Sequence, residues 1–312
     1  MRHRHRAGLS APCTTLLLVG LSAGALVLGA CGSATDTPAA PSTDEDPAGT
    51  HVRIVRPGEE LVAHGILMQT APERVEICLG GVAESYPPQC DGPVLRGDFS
   101  WDDVSQQRSG TVTWTDDPVF AVGTFDADDG DTGSFTLARA ISTGPPPGYA
   151  VPAPQEPAFP QLCDDPYRDG AEGPPDQAEQ EALRTALEDL DGYVTSWVSD
   201  GSHLYNVVVT SDPEQAHDQL REVWSGGLCV VERDLPTQDR LRAAQEALSA
   251  RFEEVGLLSS GSGGVTGLLD VGVVVTDQAS VDAVREIVSP WLTPDQVVIT
   301  GALQPMRATG TS

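Results

Sequence analysis

The chain reads as an α+β protein: a small β-barrel or sandwich domain followed by a duplicated helix–hairpin–helix–strand (αββαβ) domain. Three observations predict this. Short apolar runs parted by Gly and Asp turns fill residues 51–142, with little helical period. Helical apolar stripes alternate with Val-rich runs through residues 161–305. Between them, residues 143–160 carry the run Gly144-Pro-Pro-Pro-Gly-Tyr-Ala-Val-Pro-Ala-Pro, which favours an extended, semi-rigid linker because each Pro locks φ.

In the β region the expected strands are Leu61 to Gln69, Val75 to Leu79 and Thr111 to Thr115, the last alternating around Val112 and Trp114. Val119 to Phe125 and Ser134 to Ala140 flank an acidic loop at 126–131, which reads as a hairpin connection. That loop offers oxygen ligands to a hard cation, but it lacks the twelve-residue EF-hand register and its terminal Glu. A solvated hairpin tip is the plainer reading.

The second region repeats itself. Val207-Val-Val-Thr210 with Asp212 matches Val273-Val-Val-Thr276 with Asp277, and Arg221-Glu222-Val223 matches Arg285-Glu286-Ile287. Cys229-Val230-Val231 matches Val297-Val298-Ile299. The copies span about 176–233 and 237–300. Copy one opens with a helix striped by Ala182, Leu183, Ala186, Leu187 and Leu190, and turns its hairpin at Asp200-Gly201. Pro213 starts its second helix, where a missing N–H costs nothing. Copy two opens with a stripe of Leu241, Ala244, Leu248, Phe252 and Val255 stopped at Gly256, and turns at Gly261-Ser-Gly-Gly264. Val271, Val273 and Val275 are expected on one strand face under Val281, Val284, Ile287 and Val288; copy one sets Val207 and Val209 under Ala216, Leu220 and Val223. Residues 204–231 are therefore expected to superpose on 270–299 with the same connectivity.

The first 30 residues carry a different message. Arg2, Arg4 and Arg6 precede an apolar run from Thr14 to Leu28, too short to span a bilayer comfortably. Leu28-Gly29-Ala30-Cys31 then resembles the bacterial lipoprotein signal, which implies cleavage before Cys31 and a diacylglyceryl group on its thiol. Residues 31–50 are a polar tether, and 306–312 a tail. The mature chain keeps 15 Arg and 46 acidic residues, a net charge of −31, and the sequence holds no Lys. Such a chain repels nucleic-acid phosphates and gains nothing electrostatically from an anionic membrane. A lipid must hold it there, and stable anchoring takes two chains or more.

Four cysteines remain: Cys78, Cys90, Cys163 and Cys229. An even count in an exported chain reads as two disulfides, and four Cys allow three pairings. Sequence proximity favours 78–90 with 163–229. A loop of about a dozen residues closed this way is worth roughly 3 kcal/mol. The spacings lack the C-x-x-C pair of a zinc site.

No phosphate-binding loop, dinucleotide fingerprint or G-x-S-x-G elbow occurs, and no catalytic residue, metal or cofactor is predicted. The segment Ile77-Cys78-Leu79-Gly80-Gly81-Val82-Ala83-Glu84-Ser85-Tyr86-Pro87-Pro88-Gln89-Cys90-Asp91-Gly92-Pro93 stands out, together with Trp224-Ser-Gly-Gly-Leu-Cys229-Val. In these runs the chain resembles a family of uncharacterised exported actinobacterial lipoproteins, over about residues 60–305. The resemblance implies a membrane-held exported protein and no particular activity. The acidic insertion at 126–131 is longer than the family's short D-G turn. Ser85, Tyr86, Pro87, Pro88 and Gln89 form a stiff loop suited to recognition, or else a clasp closing the barrel. The reading is a non-enzymatic binding or structural module of the cell envelope, on the extracytoplasmic face, with another envelope protein as possible partner. The rival is an envelope enzyme or accessory subunit with a site between the two domains.

Overall fold

The computed structural model describes residues 52–81, 85–152, 158–173 and 175–306. Cys31, the leader at 1–30, the tether at 31–50 and the tail beyond Met306 lie outside these residues. Among the described residues no helix is long and apolar enough to cross a membrane.

The first region builds seven strands: β1 (Leu61–Ala71), β2 (Arg74–Cys78), β3 (Val94–Arg96), β4 (Gln106–Ser109), β5 (Val112–Thr115), β6 (Val119–Asp126) and β7 (Ser134–Leu137). Five of them close into a barrel in the order β1-β2-β3-β7-β6, with β6 returning to β1. The length of β1 permits the closure. Its first half pairs with β6 at Leu61↔Gly123, and its second half with β2 at Ile66↔Cys78. Leu61, Ala63 and Leu67 point inward with the two-residue period of a strand, meeting Ile77, Leu95, Ala121 and Phe135. The opposite face is not bare. Val62 meets Phe120 and Val122 beneath Tyr149 and Met306, while Met68 meets Cys78 and Trp114. Burial on both faces explains why β1 reads as a continuous apolar run rather than an alternating one. The sequence reading did not foresee β3 and β4. β3 is three residues long, and Gln106-Gln-Arg-Ser109 has no apolar period.

The second region contains α1 (Gln177–Glu188), β8 (Tyr193–Val198), β9 (Leu204–Val209), α2 (Pro213–Arg221) and β10 (Gly227–Glu232). There follow α3 (Gln238–Ser249), α4 (Phe252–Val255), β11 (Leu257–Ser262), β12 (Leu269–Val273), α5 (Gln278–Val288), β13 (Val297–Gly301) and β14 (Gln304–Pro305). Two three-stranded sheets result, β10-β9-β8 and β11-β12-β13. In each, the first two strands of the chain pair antiparallel and the last two parallel. Helices cover one face of each sheet. Leu183, Leu187, Ala216 and Leu220 sit over Val207 and Val209, and Leu241, Ala244, Val281 and Val284 over Val271 and Val273.

The backbone aligns the two units in a register different from the Val-Val-Val-Thr match. Tyr193 pairs with Val209, and Leu257 with Val273, each followed by a one-residue bulge. Gly192 (φ 71°) and Gly256 (φ 58°) precede those strands in the left-handed region. Each accepts at its carbonyl a 2.9 Å bond, from the N–H of Thr210 and of Val274 respectively. These pairs relate the hairpins by 64 residues, whereas matching Val207 to Val273 requires 66. The last strands, paired as Glu232↔Val209 and Gly301↔Val273, differ by 69. In copy two, Val274, Val275 and Thr276 therefore lie past the strand end at Val273. The expectation that both Val-Val-Val-Thr runs sit on the hairpin's second strand holds for Val207, Val208 and Val209 in copy one but for Val273 alone in copy two.

The reason lies in the barrel. Val275 packs with Val55 and Leu303 into the barrel core instead of facing the helices with Val271 and Val273. The Val55 N–H donates to the Thr276 carbonyl (2.9 Å), and the Thr276 hydroxyl to the Arg53 carbonyl (2.8 Å). β14 adds to β1 at Leu61↔Pro305, and Val52 and Ile54 pack against the core of the second αββαβ unit. Segments from both regions thus cross the 143–160 stretch, which is itself engaged. Tyr149 stacks edge-on against Phe120, and the Trp197 indole N–H donates to the Pro160 carbonyl (2.8 Å).

Two further expectations are corrected. The turn of the second hairpin lies beyond Gly261 and Ser262, which belong to β11. Phe252 does not join the stripe of Leu241, Ala244 and Leu248. α3 ends at Ser249, α4 starts afresh, and Phe252 is 54 % exposed.

Candidate functional site

Both disulfides form as the preferred pairing has them, Cys78–Cys90 with a Cα separation of 5.8 Å and Cys163–Cys229 with 5.4 Å. The first clasps the predicted recognition loop. Within it the Ser85 hydroxyl donates to the Pro87 carbonyl (2.8 Å), and the Gln89 amide donates to Ser85 Oγ (3.3 Å). Pro87 and Pro88 are half-buried, while Tyr86 is 74 % exposed and meets the buried Trp114 edge-on at 5.6 Å. The five residues are thus held together, with one aromatic ring presented outward.

Just past each cysteine the chain enters a groove. Leu79 and Asp91 line it together with Phe125 at the end of β6, Phe252, and Leu257, Leu258 and Val274 of the second αββαβ unit. The groove measures about 310 Å³ and lies between the barrel and that unit. Its floor is apolar and half-buried. Its rim carries Asp91, Asp131, Glu253 and Glu254, and no basic side chain is among the described residues lining it. Glu254 is held by Arg251 at 2.6 Å. Arg74 stands nearby, paired to Glu76 at 2.6 Å. Its guanidinium is pushed above its ordinary range, first by the Glu76 hydrogen bond and then by the charges of Glu76, Asp131 and Asp91.

The acidic loop borders the groove through Ala127 and Asp131, and it is structured by its own bonds. The Asp128 N–H donates to Asp126 Oδ1 (3.0 Å), and Arg96 donates to Asp129 Oδ2 (3.1 Å). Hydrogen bonds from Ser134 and then Arg96 hold the Asp129 carboxyl below the usual range. Among the described residues no group of three or more His, Cys, Asp or Glu is placed to hold a metal ion.

Elsewhere, Asp200 at the first αββαβ hairpin accepts N–H bonds from Ser202, His203 and Leu204. Burial opposes its charge, but these bonds outweigh that effect and hold its carboxyl far below the ordinary value. Desolvation pushes the Asp270 carboxyl up. The backbone of Gly263 crowds it, since a Cβ there would stand 2.6 Å from Oδ2. Asp270 is not part of the groove lining.

The sequence reading singled out the clasped loop but missed the groove. The groove draws on Leu79, the turn at 91–93, the hairpin at 125–133, the continuous run 252–258 and the stretch after β12, which only the fold unites. The one local signal was Phe252, an aromatic residue set among Arg251, Glu253 and Glu254. No protein-family model matches the chain, and no curated protein matches it.

Proposed function

We propose that this chain is a membrane-anchored cell-envelope lipoprotein acting as a non-enzymatic binding or structural module. The observation that carries the reading is Leu28-Gly29-Ala30-Cys31 at the end of an Arg-led apolar run. An exported chain suits the two disulfides and the strong negative charge. On this reading it belongs with the actinobacterial lipoproteins its Cys78–Pro93 run resembles, and it stands on the extracytoplasmic face. The two αββαβ units are copies of one ancestral unit. Shared strand order, shared pairing sense and the bulges after Tyr193 and Leu257 support that duplication.

The alternative, an envelope enzyme or accessory subunit, draws on the groove between barrel and second unit. Weighing against it, the one carboxyl group among the described residues that desolvation pushes up, Asp270, is outside that groove. Cell fractionation tests the leading reading. The wild-type chain is expected in the membrane fraction, and Cys31→Ser is expected to release it. A Cys31→Ser chain that stays with the membrane refutes the anchor. A pull-down of the anchored chain then asks whether it holds an envelope partner.

A further inference from the structure

We infer that the groove between the barrel and the second αββαβ unit docks an extended, basic peptide segment of a partner protein, anchored by an apolar side chain. This rests on the binding-module reading above and names the partner's chemistry. The shape asks for an apolar anchor. Phe125, Leu257, Leu258 and Val274 leave a half-buried floor, and Phe252 stands 54 % exposed at its lip. A volume of about 310 Å³ is at the lower end for a site that engulfs a whole small molecule, but sufficient for one or two side chains.

The charge selects the rest. Four carboxylates ring the floor and one of them, Glu254, is already matched by Arg251. Asp91, Asp131 and Glu253 are exposed; the nearby Arg74 feels the charges of Asp91 and Asp131, but its hydrogen bond goes to Glu76. A ligand with cationic groups on either side of its anchor complements them, and an anionic one is repelled. That excludes the chain's own tether, which holds Asp36, Asp44, Glu45 and Asp46 and no basic residue at 31–50. It equally disfavours a second copy, given a whole-chain charge of −28. A peptide is favoured over a small amphiphile because β11 borders the groove and is an edge strand of its sheet. An extended segment there meets main-chain donors and acceptors as well as the floor.

The test uses the full mature chain and a fluorescein-labelled peptide alternating Arg with Leu and Phe, read by anisotropy at low and high salt. Two control peptides replace Arg by Glu, or Leu and Phe by Ser. The expected result is saturable binding of the first peptide alone. The D91N/D131N/E253Q chain should bind it about tenfold more weakly with a flatter salt dependence. F252S, a change at an exposed position, should weaken binding several-fold without lowering thermal stability. D218N/E222Q/E172Q, three exposed acids outside the groove, should bind as wild type. If that triple weakens binding as much as the groove triple, attraction is diffuse and the inference fails. It fails also if the Ser-bearing or Glu-bearing peptide binds equally well. A pull-down that recovers the same partner with wild type and D91N/D131N/E253Q would refute the groove but leave the binding module standing. Groove-dependent peptide binding together with a membrane-bound Cys31→Ser chain would refute the anchor alone.

Discussion

The two αββαβ units share strand order and pairing sense, yet the faces their sheets turn away from the helices differ in kind. Backbone pairing places Trp197 opposite Asn206 in the first sheet and Gly261 opposite Asp270 at the equivalent site of the second. In the first, Val194, Trp197 and Val208 are buried under Leu162, Val231, Leu235 and Val265. The segment around Leu162 lies over that face like a strap, fastened by Cys163–Cys229. In the second, Ser259, Gly272, Val298 and Thr300 remain partly or fully exposed, and the unit finds its remaining burial by sending Val275 and Leu303 into the barrel. Equal topology therefore does not mean equal surroundings. Pairing and turn residues set the strand order, while side chains on the second face decide whether a strap, a neighbour or solvent meets it.

The largest effect that would break this comparison is loss of the strap's fastening. Cys163→Ser with Cys229→Ser opens a loop whose ends are 66 residues apart and should cost about 4 kcal/mol in urea unfolding. A loss under about 1 kcal/mol would mean that the strap is held without its disulfide. Next comes the tryptophan. Trp197→Ala empties a buried site and should cost about 3–5 kcal/mol, whereas Gly261→Ala, whose Cβ would meet nothing within 4 Å, should change stability by no more than about 0.5 kcal/mol. Equal sensitivities at the two positions would refute the asymmetry of the outer faces.

The paired polar positions sharpen it further. Asn206 is fully buried; its Oδ1 accepts the Leu162 N–H (2.8 Å) and its Nδ2 donates to Ser199 Oγ (2.7 Å). Asn206→Ala should cost about 1–3 kcal/mol by stranding the strap's N–H. Asp270→Asn should act in the opposite sense. Its carboxyl titrates above 3.8 in the folded chain, so the folded state binds the extra proton and stability falls as pH rises through that window. Removing the charge should flatten that part of the stability–pH curve and raise stability at neutral pH, as followed by chemical unfolding across pH.

The smallest expected effect is at His217. It is buried, its Nδ1 has no hydrogen-bond partner, and Asp218 Oδ1 is 3.8 Å away. Desolvation first, then Arg168 and Arg221, lower its pKa from 6.5 against weaker support from Asp218 and Glu214. The unfolded chain binds the proton more readily, so stability is full above pH 6.5 and declines as pH falls below it. His217→Leu should remove that acid-side slope. An unchanged slope would place the acid sensitivity elsewhere.

Much of the fold was legible because local chemistry spoke for it. Asp176 caps α1 with a full capping box, Pro213 opens α2, Gly256 closes α4 in the left-handed region, and Asp200-Gly201 turns the hairpin. Each is a decision made within a few residues. The three-residue β3, the polar β4 and the shifted register of copy two escaped because distant partners impose them. The clasped loop was visible in its cysteines and prolines, but the groove beside it was not. Leu79, Phe125, Phe252 and Val274 carry no shared period and sit far apart in the chain.

The sequence alone determined most helices and strands, the favoured disulfide pairing, the acidic charge and the Arg-led apolar run that ends at Cys31, since these follow from short-range periodicity, spacing and composition. Tertiary structure alone decided that β1 closes a barrel on both its edges. It also decided that Val275 leaves its strand for that barrel, that one sheet is strapped and the other left polar, and that five separate segments meet as an apolar groove with an acidic rim. Burial depends on what arrives at a surface from elsewhere in the chain, and no local pattern encodes the arriving partner.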